Sequence, residues 1–374
     1  MALTNFAASD STMRRKEWAL EAWKAGRDSS FFFQSGFMGS GTDDTTKPVH
    51  YVKDLTKTRR GDQCVMHLIP DVTGDGVPGD QRLKGTEEQL QVSDITITLD
   101  QYRKALRNEG MMAEQKTVIR FTVQAKDQLG NWLGQAMDEL AFLTTSGVSY
   151  GLKLDGTTRA ASSRLSQLAF AADVTAPSTN RVFYAGVATS TATLTATDRM
   201  SWQLIVGVQA YAQRKRIKPM RHNGRDCYAI VMSVEQARDL KKDPDYMTNV
   251  GRAANSGNKN PLFTGAFADI DGVYLFAHPK VNSTLGLSSG SRYGATGTVH
   301  GAQALLLGAQ ALGFARIGDP RWTKDADDDY ENQDNMALVT QIGYKKPKFT
   351  SIYDGGANED FSVVSVYTAA GATS

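Results

Sequence analysis

Two glycine-rich stretches of the sequence have the residue types and spacing of nucleotide-binding or catalytic sites. Residues 74–79 match G-x-G-x-x-G, the dinucleotide-binding pattern, in which a helix must follow directly so that its amides meet the pyrophosphate. Here Pro78 lies inside the motif and Gly85 follows soon after it, so a flexible loop tip is the favoured interpretation. Residues 286–290 match G-x-S-x-G, the nucleophile elbow of serine hydrolases.

The serine in the second motif lacks the partners that a hydrolase needs. A nucleophile elbow requires an acid and then a histidine later in the chain, but Ser288 is followed only by His300, with no carboxylate between them. A serine- and glycine-rich loop is the favoured interpretation. An enzyme that uses Ser288 or the glycine tip stays open as a rival class of function.

Metal and phosphate patterns are also incomplete. Residues 71–76 imitate the start of a calcium loop, but its twelfth position, which should be a bidentate Glu, is Arg82. Residues 151–158 have P-loop glycine spacing with Thr in place of the required Lys. The five histidines never stand four residues apart, and Cys64 and Cys227 form no CxxC pair. The sequence therefore predicts no catalytic residue, no cofactor and no metal.

Two clusters of like charge stand out, although 42 basic and 40 acidic residues leave a net charge of only +2, which excludes a polycationic DNA coat. The basic run comprises Arg214, Lys215, Arg216, Lys218, Arg221 and Arg225, and the acidic run comprises Asp325, Asp327, Asp328, Asp329, Glu331 and Asp334. The basic run is either a solvated helix end or a patch that faces phosphate or another subunit. The acidic run is a solvated loop, a cation site or a face for a basic neighbour. Opposite clusters on one chain suit head-to-tail contacts in a ring.

The composition indicates a folded protein with many turns. A chain of 374 residues with 41% hydrophobic residues can build two or three domains, and 34 glycines predict many turns and extended segments. Two separated cysteines fit buried thiols in a reducing compartment. We expect no secretory signal and no membrane association, because no apolar stretch reaches the roughly 20 residues that a bilayer requires.

The elements that would position these residues begin with an arm and a projecting hairpin. The stretch from 26 to 61 is irregular, and its aromatic clusters need burial, which a neighbouring molecule could provide. Residues 63–69 and 91–99 alternate as strands around a polar tip, which predicts a β-arm about 30 Å long that should rest on a partner.

The remainder predicts an α+β fold around one long helix. Residues 111–145 carry apolar positions three or four apart, a helix of about 48 Å if it is continuous from Glu114. Gly130 and Gly134 within it indicate close packing or a bend. Alternating segments at 338–353 and 361–367, joined by residues 354–356, predict a terminal hairpin.

An ordered series of motifs resembles the major capsid family of tailed phages typified by the podophage N-four. In residues 54–112, Gly61-Asp62 precedes a strand; a glycine-rich tip, Leu83-Lys84-Gly85 and Glu87-Glu88 follow; and an alternating strand leads to Arg103. PLFTGAFADIDGVYLFAHPKV (261–281) and HGAQALLLGAQALGFA (300–315) are similar to later capsid segments. The match keeps its order over most of the chain and is weakest over 147–196 and at the C-terminal end.

The resemblance implies the tailed-phage major capsid fold. Its parts would be an N-terminal arm at 1–61, an extended loop at 62–112, a peripheral domain with the spine helix at 113–196, an axial domain at 197–335, and a return to the peripheral domain at 336–374. The implied function is a coat protein that forms hexamers and pentamers of an icosahedral virion shell around double-stranded DNA, assembled in the host bacterial cytoplasm. An encapsulin-like nanocompartment, with the same fold but protein cargo, is the alternative.

The same resemblance implies partners and interfaces instead of an active site. Copies of the chain would be the main partners. Scaffolding, portal and decoration proteins would be further partners, and DNA would be held without sequence specificity. The predicted interface residues fall on the arm, the loop tip and the two charge clusters: Trp18, Trp23, Phe31, Phe32, Phe33, Val77, Leu83, Glu87, Glu88, Arg214, Arg216, Asp327, Asp328 and Asp329.

Overall fold

A computed structural model describes residues 24, 26, 30–41, 44–55, 63–68, 76–85, 87, 92–108, 121–222, 224–254, 268–325 and 335–371. Its helices are α1 Phe31–Gln34, α2 Phe121–Ser146, α3 Trp202–Arg214, α4 Val234–Lys241 and α5 Pro244–Ala254. Its strands are β1 Val49–Leu55, β2 Gln63–Leu68, β3 Ser93–Thr98, β4 Asp100–Arg107, β5 Val182–Tyr184, β6 Met220–His222, β7 Arg225–Met232, β8 Ala268–Ile270, β9 Val273–Ala277, β10 Gly301–Leu307, β11 Leu312–Ile317, β12 Arg321–Asp325, β13 Asn335–Lys345, β14 Lys348–Ser351, β15 Ala357–Asp360 and β16 Val363–Ala369. The mixture confirms the α+β prediction.

A five-stranded sheet is built around the long strand β13. One edge of β13 pairs with β4, and the other edge pairs first with β12 and then with β11, which in turn pairs in parallel with β1. Met336 and Leu338 alternate inward from β13, as expected for a strand with one buried face. That face packs against the spine helix α2.

A seven-stranded sheet forms the second layer, in the order β5-β16-β10-β7-β9-β8, with β6 paired to β7. Every residue of β10 is buried, because the sheet is covered on both sides. Helices α3, α4 and α5 cover one face through side chains such as Ile205 and Leu240. The other face meets the C-terminal part of α2 at Leu140 and Leu143.

The spine helix joins the two sheets. Its described length of 26 residues corresponds to about 39 Å. Ala125, Leu129, Leu133 and Met137 lie four residues apart and pack against Trp322, Met336 and Leu338 of the five-stranded sheet. The predicted helix is confirmed from Phe121 onward, and its first predicted turns lie outside the described residues.

The predicted hairpin is confirmed, with β2 antiparallel to β3 from Gln63–Thr98 to Leu68–Ser93. Its base does not project freely. Cys64, Met66 and Ile97 pack against the five-stranded sheet, where a Cβ added at Gly313 would lie 2.8 Å from the Ile97 side chain. The base of the hairpin therefore rests on its own chain, and contact of the tip with a partner stays a prediction.

Each of the two sheets combines strands from segments that are far apart along the chain. β11 and β12, inside the range predicted as axial, belong to the sheet that packs on the spine helix, and β16 belongs to the seven-stranded sheet. The predicted terminal hairpin is correct only for β14 and β15 around residues 354–356. It is wrong for β13 and β16, because alternation identifies a strand without naming its partner.

Candidate assembly surfaces

The aromatic segment of the arm packs inside its own chain. The Phe32 ring lies 5.0 Å from that of Phe142, and Phe31 lies 4.7 Å from His278, measured between ring centroids. Only 3% of Phe32 is exposed. A neighbouring copy is therefore not needed to bury Phe32, which corrects its prediction as an interface residue. Phe31 and Phe33 are half-buried at the edge of the same core.

One row of the spine helix receives this segment, and we call Gly130, Gly134, Asp138 and Phe142 the arm-docking row. These residues lie four apart, so they form a continuous ridge on the helix. A Cβ added at Gly26 would stand 3.1 Å from the Gly130 carbonyl oxygen and 3.4 Å from the Gly134 nitrogen. The close packing predicted at the two glycines is confirmed, because Gly26 of the arm approaches the backbone of both.

Asp138 fixes the start of α1 to that row. The Ser30 hydroxyl donates to one carboxylate oxygen at 2.6 Å, and the Phe31 backbone N–H donates to the other at 2.8 Å. Burial raises the pKa of Asp138, and these hydrogen bonds offset part of the effect. Beside it, burial and then the charge of Lys280 lower the pKa of His278 to about 4, so the imidazole is neutral at pH 7.

The described part of the tip between β2 and β3 is mostly exposed to solvent. Residues 76–85 form turns with no helix after the glycine motif, as expected for a loop and not for a dinucleotide site. Leu83 is 61% exposed, while Val77 is half-buried. The Gly85 N–H donates to the exposed Glu87 carboxylate at 2.7 Å. This segment therefore presents an apolar side chain on a polar loop.

The basic run divides into one half-buried, ion-paired member and several exposed members. Lys215 and Arg181 both contact the Asp354 carboxylate, which is fully buried between them. Burial alone would raise the pKa of Asp354, but hydrogen bonds from Lys215, Ser351 and Arg181 outweigh it and hold the pKa below its usual value. Arg214 and Arg216 are exposed. Lys215 is therefore structural, whereas its two neighbours can face a partner.

A groove opens beside these exposed arginines, and we call it the Tyr353 groove. Its volume is about 380 Å³, and its apolar walls include Ile217, Phe349 and Phe361. Arg216 lies over the Tyr353 ring at 5.5 Å from the centroid. Tyr353 remains 39% exposed, so the rim combines an aromatic surface with positive charge.

Several predicted residues lie outside the described part of the chain: Trp18, Trp23, Glu88, Asp327, Asp328 and Asp329. The structure brings Arg216 to the groove and Phe31–Phe33 to the core, whereas Leu83 stands on the loop tip. Sequence reasoning missed Asp138 and Tyr353. The signal for Asp138 was a lone carboxylate in a helical stripe of small and apolar residues, but Tyr353 carries no comparable signal.

In the part of the chain that the structure describes, the other motifs assemble no chemical centre. Ser288 lies in an exposed turn, without the strand-to-helix bend that a nucleophile elbow needs. Among the described residues, no three His, Cys, Asp or Glu side chains are grouped as a metal site requires. No helix in the described ranges has the length and hydropathy to cross a membrane.

Comparison with known proteins agrees with this arrangement. A family model described as phage capsid protein matches residues 9–372. The major capsid protein of Pseudomonas phage KPP25 is 39% identical over 377 residues, covering 98% of each chain.

Solved structures of phage heads show the same fold. The capsid of Ralstonia phage GP4 superposes with a TM-score of 0.76 at 26% identity and covers 92% of both chains. The capsid of cyanophage Pam1 superposes with a TM-score of 0.67 at 20% identity, covering 90% of this chain and 92% of its own, a likeness of fold alone. The chain therefore belongs to the phage capsid protein family and is a structural subunit of a phage head, not an enzyme.

Proposed function

We propose that the chain forms hexamers and pentamers that close into an icosahedral shell around double-stranded DNA. The observation that carries the proposal is the match of nearly the whole chain to a phage major capsid protein. Assembly in the host cytoplasm, with scaffolding, portal and decoration proteins as partners, belongs to the same proposal. The near-balanced charge fits a shell that confines DNA without binding its sequence.

The exposed surfaces supply the contacts that such a shell needs. Leu83 and Val77 on the hairpin tip, with Glu87, and Arg214 and Arg216 beside the groove are proposed contacts between copies. So are the acidic residues and tryptophans that lie outside the described residues. Contacts spread over several edges can each be weak, because ring closure and shell closure make them act together.

Electron microscopy of the expressed full chain tests this function. Closed shells with fivefold and sixfold capsomers are expected, and shells purified from infected cells should contain nuclease-protected DNA. Shells that enclose only protein would support the encapsulin-like alternative, which the phage relatives do not favour. A chain that stays monomeric under all conditions would contradict the proposal.

The N-terminal arm can be tested separately from the core. Removing residues 1–23 keeps Gly26, Ser30 and the phenylalanines that dock on the spine helix. We expect the shortened chain to unfold like the full chain but to form fewer stable shells. Normal shell yield and stability would show that the arm's first residues make no essential contact between copies.

A further inference from the structure

The Tyr353 groove has a recognition surface that no described residue of its own chain fills. Its floor is apolar, from Ile217, Phe349 and Phe361, and its rim carries the exposed Ile352 and Tyr353. An apolar floor with an exposed aromatic edge is the usual form of a pocket for an anchoring side chain. The groove therefore fits a partner segment with at least one aromatic or aliphatic residue.

The charge around the groove indicates the charge that the partner segment should carry. Arg216 and Lys218 belong to its lining, no acidic residue does, and Arg214 and Arg221 lie close in sequence. Beside the groove, Lys215 and Arg181 both contact the Asp354 carboxylate, so that carboxylate is already paired and does not offset the charge of Arg216. A complementary partner is strongly acidic.

One segment of this same sequence has both properties. Residues 325–334, which we call the acidic segment, read DADDDYENQD: six acids, no base, and Tyr330 near the middle. By comparison, the loop tip at 76–87 contains two acids, Asp80 and Glu87, and two bases, Arg82 and Lys84. Charge complementarity therefore favours the acidic segment over the tip as the occupant.

A chain cannot place this segment in its own groove. The two ends of the segment are fixed at the paired residues Asp325 and Asn335. Phe349 packs in the cluster around Ala315, whose strand partner is Gly343. Gly343 lies eight residues along β13 from Asn335, so their Cα atoms are about 26 Å apart. The nine residues that connect Asp325 to Asn335 must return to their starting point, so they can extend only about 17 Å from it.

We propose that the Tyr353 groove binds the acidic segment of a second copy of the chain, with Tyr330 on the apolar floor and the aspartates against Arg216. The groove and the segment lie toward opposite ends of β13, so the contact is heterologous and repeats head to tail, as a ring of subunits requires. The inference rests on the proposed shell function and names one of its contacts.

A peptide experiment tests the contact directly. A fluorescent peptide of residues 325–334 is titrated into the unassembled full chain, and fluorescence anisotropy reports binding. We expect saturable binding that weakens at high salt, because exposed charges are screened. Arg216→Glu should weaken it by at least about tenfold, since an attractive contact becomes repulsive. A peptide with Tyr330→Ala should bind about fivefold or more weakly, because it loses its apolar anchor.

The controls separate the groove from general electrostatic attraction. Arg164→Glu makes the same charge change at an exposed position that does not line the groove, and it should leave peptide binding unchanged. Equal loss with Arg164→Glu and Arg216→Glu, or no binding by the unaltered chain, would overturn the proposal. So would a groove that binds duplex DNA of similar charge in preference to the peptide.

Shell assembly distinguishes failure of this contact from failure of the proposed function. Arg216→Glu should reduce shell yield, and so should the triple variant Asp327→Lys, Asp328→Lys and Asp329→Lys. Combining the two sets of changes should restore part of the yield, because the charges on the two sides of the contact are exchanged. If the unaltered chain forms shells but the combination gives no recovery, the groove contact is wrong and the shell function stands. If no shells form at all, the proposed function fails first.

Discussion

The Phe31–Phe33 segment and the loop tip at residues 76–87 carry the same prediction from sequence, contact with a neighbouring copy, but they have opposite surroundings. Phe32 is buried against Phe142, and the Asp138 carboxylate holds the start of its helix. Leu83 on the tip is 61% exposed. The first segment belongs to the core of the subunit, whereas the second is available to another copy.

The difference shows what an apolar residue in an irregular stretch does and does not indicate. Aromatic composition indicates that a segment must be buried, because exposed rings are costly, but it does not name the molecule that buries it. In the arm, the receiving surface is a row of one helix, Gly130 to Phe142, with glycines where close approach is needed. The structure describes no comparable row beneath the loop tip.

The largest expected effect follows from shortening the buried arm ring. Phe32→Ala should lower the free energy of unfolding of the unassembled chain by about 3–5 kcal/mol, because it removes buried area and leaves a cavity beside Phe142. Urea unfolding followed by circular dichroism measures this. A change of less than about 1 kcal/mol would show that the arm is not part of the core.

A smaller loss is expected from the carboxylate that anchors the arm. Asp138→Ala leaves the Ser30 hydroxyl and the Phe31 N–H without their acceptor, at a cost of about 1–3 kcal/mol. Burial of the Asp138 carboxylate is itself unfavourable, as its raised pKa shows. Because Asp138→Ala removes that buried charge, its loss of unfolding free energy should be smaller than that of Phe32→Ala. Hydrogen exchange should quicken over residues 30–37. Asp127→Ala, at an exposed position of the same helix, is the matched control and should change neither quantity.

Elements with a clear local pattern could be predicted from the sequence, whereas their partners could not. The alternation around Ile95 and Ile97 predicted a strand that pairs with β2, and three-to-four spacing predicted the spine helix. The pairing of β13 with β4 joins residues more than 200 positions apart, such as Ile342 with Asp100. Local patterns contain no information on such pairings.

The same limit applies to the candidate surfaces. Lys215 and Arg216 are adjacent members of one basic run, and their sequence context does not distinguish them. The fold brings Asp354 to Lys215, 139 positions away, and leaves Arg216 over Tyr353 at the groove. A charge cluster therefore predicts that a polar surface exists, but the tertiary structure decides which of its members are exposed.

Low pH should reduce the free energy of unfolding through His278, which packs against Phe31 of the arm. Its pKa in the folded chain is about 4, below the ordinary 6.5, so the unfolded chain binds more protons between these values. The stabilisation is complete above about pH 6.5 and is lost as pH falls through about 4. The raised pKa of Asp138 makes its own contribution to stability change with pH in the opposite direction. The effect of His278 must therefore be measured against a variant that alters the histidine alone.

His278→Phe keeps a ring against Phe31 and Phe142 and removes the titration. Between pH 7 and pH 4, the unaltered chain should lose about 2 kcal/mol more unfolding free energy than the variant, after allowance for partial solvent screening. Urea unfolding at each pH measures the difference. Parallel pH profiles for the two chains would show that His278 is not held neutral by its packing.

The smallest effect on the stability of the subunit is expected at the loop tip, the exposed segment that contrasts with the buried arm. Leu83→Ala should change the free energy of unfolding of the unassembled chain by less than about 0.5 kcal/mol, because the side chain already lies in solvent. Shell yield should nevertheless fall if a neighbouring copy covers Leu83. Val187→Ala is the matched control, since Val187 is 98% exposed and lies away from the hairpin. Leu83 contacts a neighbour only if its variant impairs assembly and the Val187 variant does not, while both unfold normally. If the two variants assemble equally well, Leu83 makes no contact with a neighbouring copy and the tip is only a solvated loop. The tip and the arm would then differ in burial but not in a role in assembly.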